Sequence, residues 1–215
     1  MSTSRACSPQ PPGQSGAVSS EYRRCRAATP VPTCAAWACV EGKTGRVRVD
    51  PDPGAAELSL LVQYLDYQRE TVLSKTDGLT RQQLAQRHLP SELTLAGLLY
   101  HLSLVEEDWM EVRFSGLPDR EPWATVDWNA DPNWEFRTAV DLEPEQLRGR
   151  YREACERSRQ VVAAAAGPEQ LSVRALRDGR HFSLAWVMLH LIEETSRHVG
   201  HADFLREAID GSVGE

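Results

Sequence analysis

The sequence predicts an all-α protein, a four-helix bundle that follows a disordered N-terminal extension. Three observations carry this. Apolar residues recur at helical spacing over four long stretches after about residue 57. Period-two alternation of useful length is absent, Leu171-Ser172-Val173 coming nearest. Amphipathic helices without a sheet can bury their stripes only against one another.

The 215 residues divide near residue 50. Residues 1–50 contain no Leu, Ile or Phe and are rich in Ser, Pro, Gly and Ala; the first leucine is Leu58. A segment without aliphatic side chains cannot offset the entropy of its own ordering, so residues 1–50 read as a disordered, dispensable extension. It holds Cys7, Cys25, Cys34 and Cys39 in no zinc-ligand spacing. Ala35 to Val40 is too short and too late for a secretory signal, and an Arg- and Ser-rich transit peptide is the remaining alternative. The domain is expected over residues 55–213.

Each element has its own signature. Leu58, Leu61, Leu65 and Val72 mark a first helix that closes near Asp77-Gly78. Thr80 to Gln83 reads as a capping box opening a short turn that ends at Pro90. Ser91 or Thr94 can cap a second helix whose face is Leu95, Leu98, Leu99, Leu102, Val105, Trp109 and Val112, with Gly116 as its stop. Residues 117–141, with Trp123, Trp128 and Trp134, read as a linker whose tryptophans either fill the bundle's open end or form a lid. Pro144 suits the first turn of a third helix, which presents Leu147, Tyr151, Ala154, Ser158 and Val161 and stops at Gly167. Ser183 caps a fourth helix running to Asp210-Gly211, about 40 Å at 1.5 Å per residue.

Charge and hydropathy exclude some functions. A formal charge of −7 argues against binding nucleic acid by phosphate neutralisation. No run approaches the roughly 18 apolar residues of a membrane span. Without export or membrane signals, the expected location is the cytoplasm. Neither a P-loop nor a dinucleotide glycine fingerprint is present.

The fourth helix carries an anomaly. On the stripe from Val187 and Leu191 to Leu205 and Ile209, the intervening positions are Glu194, His198 and His201. His101 interrupts the stripe of Leu98, Leu102 and Val105 in the same way. Ionisable groups facing a core must be paired or bound to metal. Glu194 and His198, four apart on a helix, can grip one ion, and His101 from a facing helix completes a two-His, one-carboxylate set. Such a set leaves coordination positions open and suits Zn²⁺, Ni²⁺, Mn²⁺ or Fe²⁺. The competing reading is a Glu–His ion pair beside a hydrogen-bonded core histidine. Cys155, on an apolar face, reads as a small core residue rather than a nucleophile.

His101 within Leu98-Leu99-Tyr100-His101-Leu102, with Glu107-Asp108-Trp109-Met110 after it, resembles the second-helix motif of the DinB-like superfamily of four-helix-bundle metalloproteins. His190 to Gly211 resembles the last helix of its mini-circle branch, a domain of unknown function common in actinobacteria. The likeness covers about residues 57–211. It implies a metal held by His101, Glu194 and His198, with Glu194 in the place of a histidine, as in the mycothiol-dependent maleylpyruvate isomerases of the superfamily. His201 is then a spare ligand, a proton-transfer group or a buried hydrogen-bonded histidine; His190 either orients Glu194 or packs. Arg197 and Arg206 are expected to pair with nearby acids. The function implied is transfer or isomerisation using mycothiol or bacillithiol as co-substrate on a small electrophile. The alternatives are a non-catalytic, stress-related bundle stapled by metal, and a metal-free small-ligand binder. Superfamily members often dimerise, so a homodimer is an open expectation.

Overall fold

The computed structural model describes residues 48–213, which are helical and contain no strand. The readings made for residues 1–47, including the four cysteines and the disorder, lie outside the described residues.

Four long helices carry the architecture: α1 (Glu57–Thr76), α3 (Leu95–Glu106), α5 (Pro144–Ala164) and α6 (Leu184–Asp210), with the shorter α2 (Arg81–Leu84) and α4 (Trp134–Ala139) between them. Helix α1 packs along α6, and α3 packs along both α5 and α6, so the four form a bundle. The caps follow the side-chain chemistry. The Thr80 hydroxyl accepts from the Gln83 amide and the Gln83 side chain returns to the Thr80 backbone. Thr94 caps α3 through the Gly97 amide, and Ser183 caps α6 through the Trp186 amide. Gly211 closes α6 with φ of 78°.

Two features depart from the reading of residues 95–141. Helix α3 passes at Glu107 into a π-helical segment, Glu107–Phe114, before stopping at Gly116. Glu107, Met110, Glu111 and Phe114, spaced i, i+3, i+4 and i+7, are buried along it, as is Val112. A Cβ on Gly116 would meet Val173 Cγ1 at 2.5 Å, and its φ is 74°, so the stop needs glycine. The stretch 117–141 is also more than a linker, since it contains a 3₁₀ turn at Trp123–Thr125 as well as α4. Its tryptophans fill the bundle end: Trp123 is buried against Tyr100 at 4.7 Å, with Trp134 6.0 Å from it and Trp128 packed on the same cluster.

The core is two apolar clusters, and all four long helices cross from one to the other at polar residues. One cluster takes the last part of α1 (Val72), the start of α3 (Leu95 to Leu102), the first half of α5 (Leu147 to Cys155) and the end of α6 (Ala202, Leu205). The other takes Leu65, Val105, Met110, Phe114, Leu184, Val187, Met188 and Leu191. Between them along each chain segment lie Arg69 on α1, Ser103 on α3, Ser158 on α5 and Thr195 on α6, with Glu106 one residue past Val105, all buried. Arg69 donates to both Glu106 carboxylate oxygens, Nε at 2.7 Å and Nη2 at 2.6 Å, and the Ser158 hydroxyl donates to Glu106 Oε2 at 2.7 Å. Cys155 lies beside this pair, fully inside, and burial pushes its thiol far above the ordinary value, as fits a core residue rather than a nucleophile.

Breaking a buried pair leaves the surviving charge uncompensated. Glu106→Ala should therefore lose about 3–5 kcal/mol of stability in urea unfolding, while the double change Arg69→Met/Glu106→Leu should recover most of it. A single-variant loss below about 1 kcal/mol, the range of an ordinary surface substitution, would contradict this view of the core.

Candidate metal centre

Helices α3 and α6 bring His101, Glu194 and His198 together beside the polar layer. One donor atom from each lies within 4.8 Å of the other two. His101 Nε2 faces Glu194 Oε1 at 3.6 Å, and His198 Nε2 faces the same oxygen at 3.2 Å. The second carboxylate oxygen, Oε2, accepts from Arg197 Nη1 at 3.1 Å. One oxygen is thus tied from the solvent side, and the other is shared by two imidazole nitrogens. The three side chains retain 20%, 16% and 11% exposure, so the cluster is reachable from solvent without being on the open surface.

The α6 stripe explains this half-burial. Its fully buried line runs Val187, Leu191, Thr195, Ala202 and Leu205. His198 falls within that line, between Thr195 and Ala202, and Glu194 sits just beside it, at the edge of the face that meets α3. Their charge states follow. Burial alone would raise the Glu194 carboxyl, but His198, Arg197 and His101 outweigh it and hold it below the ordinary carboxylate value. Burial lowers His198, His101 lowers it further, and the opposing pull of Glu194 does not restore it. At neutral pH the pair is therefore a carboxylate and an uncharged imidazole, the forms a metal requires. Two imidazoles and a carboxylate converging on a small volume fit a first-row divalent ion by donor type.

The other residues singled out from the sequence take different places. His201 is exposed, not buried; its Nδ1 lies 3.3 Å from His198 Nδ1, and it stands outside the triad. Its register carries it past the core edge to the solvent side of α6. His190 does not reach Glu194. Its ring stacks on Trp186 (12° between planes) and stands against Trp109 at 4.3 Å, so it packs. Arg197 pairs with Glu193 and Glu194, and Arg206 pairs with Asp210 while donating to the carbonyls of Lys75 and Asp77.

One residue of the site was missed. Glu135, on α4, is buried and lies against His101 Nδ1 at 3.2 Å. The next residue, Phe136, stacks on the same ring at 4.9 Å and 23°. Gly97 makes this approach possible: a Cβ there would come within 2.9 Å of Phe136 Cδ1 and 3.5 Å of its Cα. Gly97 and His101 are four apart and share the face of α3 that α4 covers. The glycine was visible in the sequence, but not the element that packs on it.

A family model described as MST: Mycothiol-S-transferase matches residues 60–211, well over half of the chain. No curated protein sequence matches it.

The depressed His198 imidazole has a consequence for stability. Between its folded-state value and the ordinary 6.5, the unfolded chain binds the proton and the folded chain does not. Stability should therefore fall as pH drops below about 6.5 in the metal-free protein, and His198→Asn should remove part of that slope. Titration of the His198 ring by NMR checks this directly. A midpoint above the ordinary value would contradict an uncharged His198 at neutral pH.

Proposed function

The chain belongs to the mycothiol-S-transferase family, and from that premise we propose that it transfers a mycothiol-type thiol to a small electrophile at a divalent metal held by His101, Glu194 and His198. The single observation that supports this most is the convergence of both Nε2 atoms on Glu194 Oε1. A closed structural site would use four protein ligands, and the described residues bring three together, which suits a site that must also admit a substrate sulfur. The placement within the mini-circle branch, suggested by the His190–Gly211 motif, belongs to the same proposal.

When bound, the metal would supply Lewis acidity, lowering the pKa of a thiol at the site. The protein residues do the rest. Glu194 holds its negative charge because His198, Arg197 and His101 hold its pKa down, and it offers Oε1 inward while Arg197 occupies Oε2. His198 keeps Nε2 turned to the same point. His201, exposed beside His198 Nδ1, is placed to take a proton and pass it to water through its outer edge. Phe136 stacked on His101 and the buried side of α3 keep bulk water from the inner face of the cluster.

Metal content by mass spectrometry, on protein made without a histidine tag, should show about one equivalent, lost in His101→Ala and in His198→Ala. The loaded protein should consume mycothiol in the presence of a test electrophile such as a haloarene or maleylpyruvate, and the two variants should be at least roughly 100-fold slower. His201→Ala should retain metal and lose rate. No metal after reconstitution with Zn²⁺, Ni²⁺, Mn²⁺ and Fe²⁺ would remove the proposal. Tight metal without thiol consumption would leave a bundle stapled by its ion.

A further inference from the structure

The metal ligands implied for this fold leave one buried acid unexplained. Glu135 is 5% exposed, and one of its oxygens, Oε2, is enclosed without a hydrogen-bond partner. The other, Oε1, has His101 Nδ1 at 3.2 Å. A carboxylate shut away from water with one oxygen unsatisfied costs the fold free energy. Helix α4 spans only six residues, and it packs on α3 through Trp134, Phe136 and Ala139, none of which needs an acid beside it. Stability does not account for Glu135, so its work is to be sought at the one ring it touches.

We infer that Glu135 is a positioning residue: it fixes the proton of His101 on Nδ1 and so turns the Nε2 lone pair toward Glu194 and His198. The chemistry is direct. An ionised carboxylate can only accept, so the imidazole nitrogen bonded to it must be the one that carries hydrogen. A neutral imidazole has one such hydrogen, and the opposite nitrogen is left bare. At His101 that bare nitrogen is Nε2, which stands 3.6 Å from Glu194 Oε1, beyond an ordinary hydrogen bond. An imidazole lone pair and a carboxylate oxygen therefore face each other with no hydrogen between them, an arrangement that a cation would relieve. His198 differs. Its Nε2 meets Glu194 Oε1 at 3.2 Å, so in the absence of a metal the same rule places its hydrogen on the side of the site, while its outer nitrogen meets His201 Nδ1. Of the two carboxylates, only Glu135 meets its ring on the edge away from the site and so leaves the inward nitrogen bare.

The geometry that delivers the carboxylate is built into two helices. Gly97, one turn before His101, lets the α4 backbone come close, and the Phe136 ring, stacked on the imidazole, restricts its rotation while Glu135 holds its edge. The ring is thus held in plane and in tautomer by consecutive residues of one short helix. Glu135 reaches the far edge of His101 and is not among the groups that gather around the candidate ion. It acts through the histidine, fixing its tautomer and orientation as carboxylate partners of metal-bound histidines do.

The inference rests on the metal reading for its purpose but can be tested apart from it. The full chain, labelled with ¹⁵N-histidine and stripped of metal, is compared as wild type, Glu135→Ala and Glu135→Gln, with His101→Asn assigning the ring resonances. Long-range ¹H–¹⁵N correlation reports which ring nitrogen carries the hydrogen. Wild-type His101 should be the Nδ1–H form. Glu135→Ala should move it to the Nε2–H form that free imidazole side chains favour. Glu135→Gln, whose amide oxygen still accepts, should keep most of the Nδ1–H population. Zn²⁺ titrated into the same samples should bind roughly ten- to hundred-fold more weakly to Glu135→Ala, with Glu135→Gln in between. The thermal midpoint of Glu135→Ala should be unchanged or raised, since the lost carboxylate was a burden to the fold. An Nε2–H form in the wild type, or an Nδ1–H form that persists in Glu135→Ala, would overturn the inference whatever the Zn²⁺ result. If the tautomer shifts as stated but no sample takes up Zn²⁺, the positioning role stands and the metal-dependent transferase falls.

Discussion

The bundle is organised by the cost of burying charge. Arg69 and Glu106 meet at its centre, where neither reaches water; Glu106 is held by Arg69 and Ser158, and Arg69 by Glu106 and Asp66. Apolar side chains cannot pack continuously through that layer, so the core separates into two clusters and every long helix carries a polar residue where it crosses between them. An all-apolar layer would be easier to build. What the layer provides is register, because α1, α3 and α5 can slide past one another only by stranding a charge. The edge of this layer is where His101 and the pair Glu194–His198 come to face each other. A site that needs three donor atoms within a few ångströms also needs α6 held in place, and that comes from its packing along α1 and α3 within the same bundle.

Around that frame, the site is completed by structure of a different kind. The long helices place the three candidate ligands, while the short α4, lodged at Gly97, governs how one of them is presented. The π-helical extension of α3 does the analogous task on the other side. Along it Glu107 and Glu111 face inward, where Arg157 meets both at 2.8 Å and the Trp123 indole donates to Glu107 at 3.1 Å. Burial raises the Glu107 carboxyl despite Arg157 and Arg150, which marks how enclosed that network is. These contacts tie α5 to the far end of α3 and so steady the helix that bears His101.

How much of this was legible in the sequence depends on what kind of information each feature carries. Long helices announce themselves by period and caps: Thr94, Pro144, Ser183 and Gly211 all fall where their chemistry places them. The triad was legible because three ionisable residues broke two apolar stripes, and a broken stripe needs only one helix to be seen. Glu135 was hidden since a single acid in a Pro- and Trp-rich stretch looks solvated, and nothing local says that α4 will fold over His101. Arg69 and Glu106 were hidden for a related reason: each alone resembles a surface charge, and only their meeting across 37 residues makes them a core feature. His201 was misplaced by about one position of register, the resolution at which a helical wheel ceases to distinguish core edge from solvent, whereas His190 took the packing reading, one of the two left open for it. The π-helical turn has no periodic signature over its eight residues.

Metal-centred thiol transfer is tested most directly by X-ray absorption at the zinc edge of the full chain loaded with one equivalent of Zn²⁺, before and after mycothiol is added. Two imidazole nitrogens and carboxylate oxygen with a displaceable light atom are expected at first, then a sulfur at about 2.3 Å once the thiol is present. A first coordination sphere that mycothiol leaves unchanged, or one closed by a third imidazole from His201, would contradict transfer at this centre.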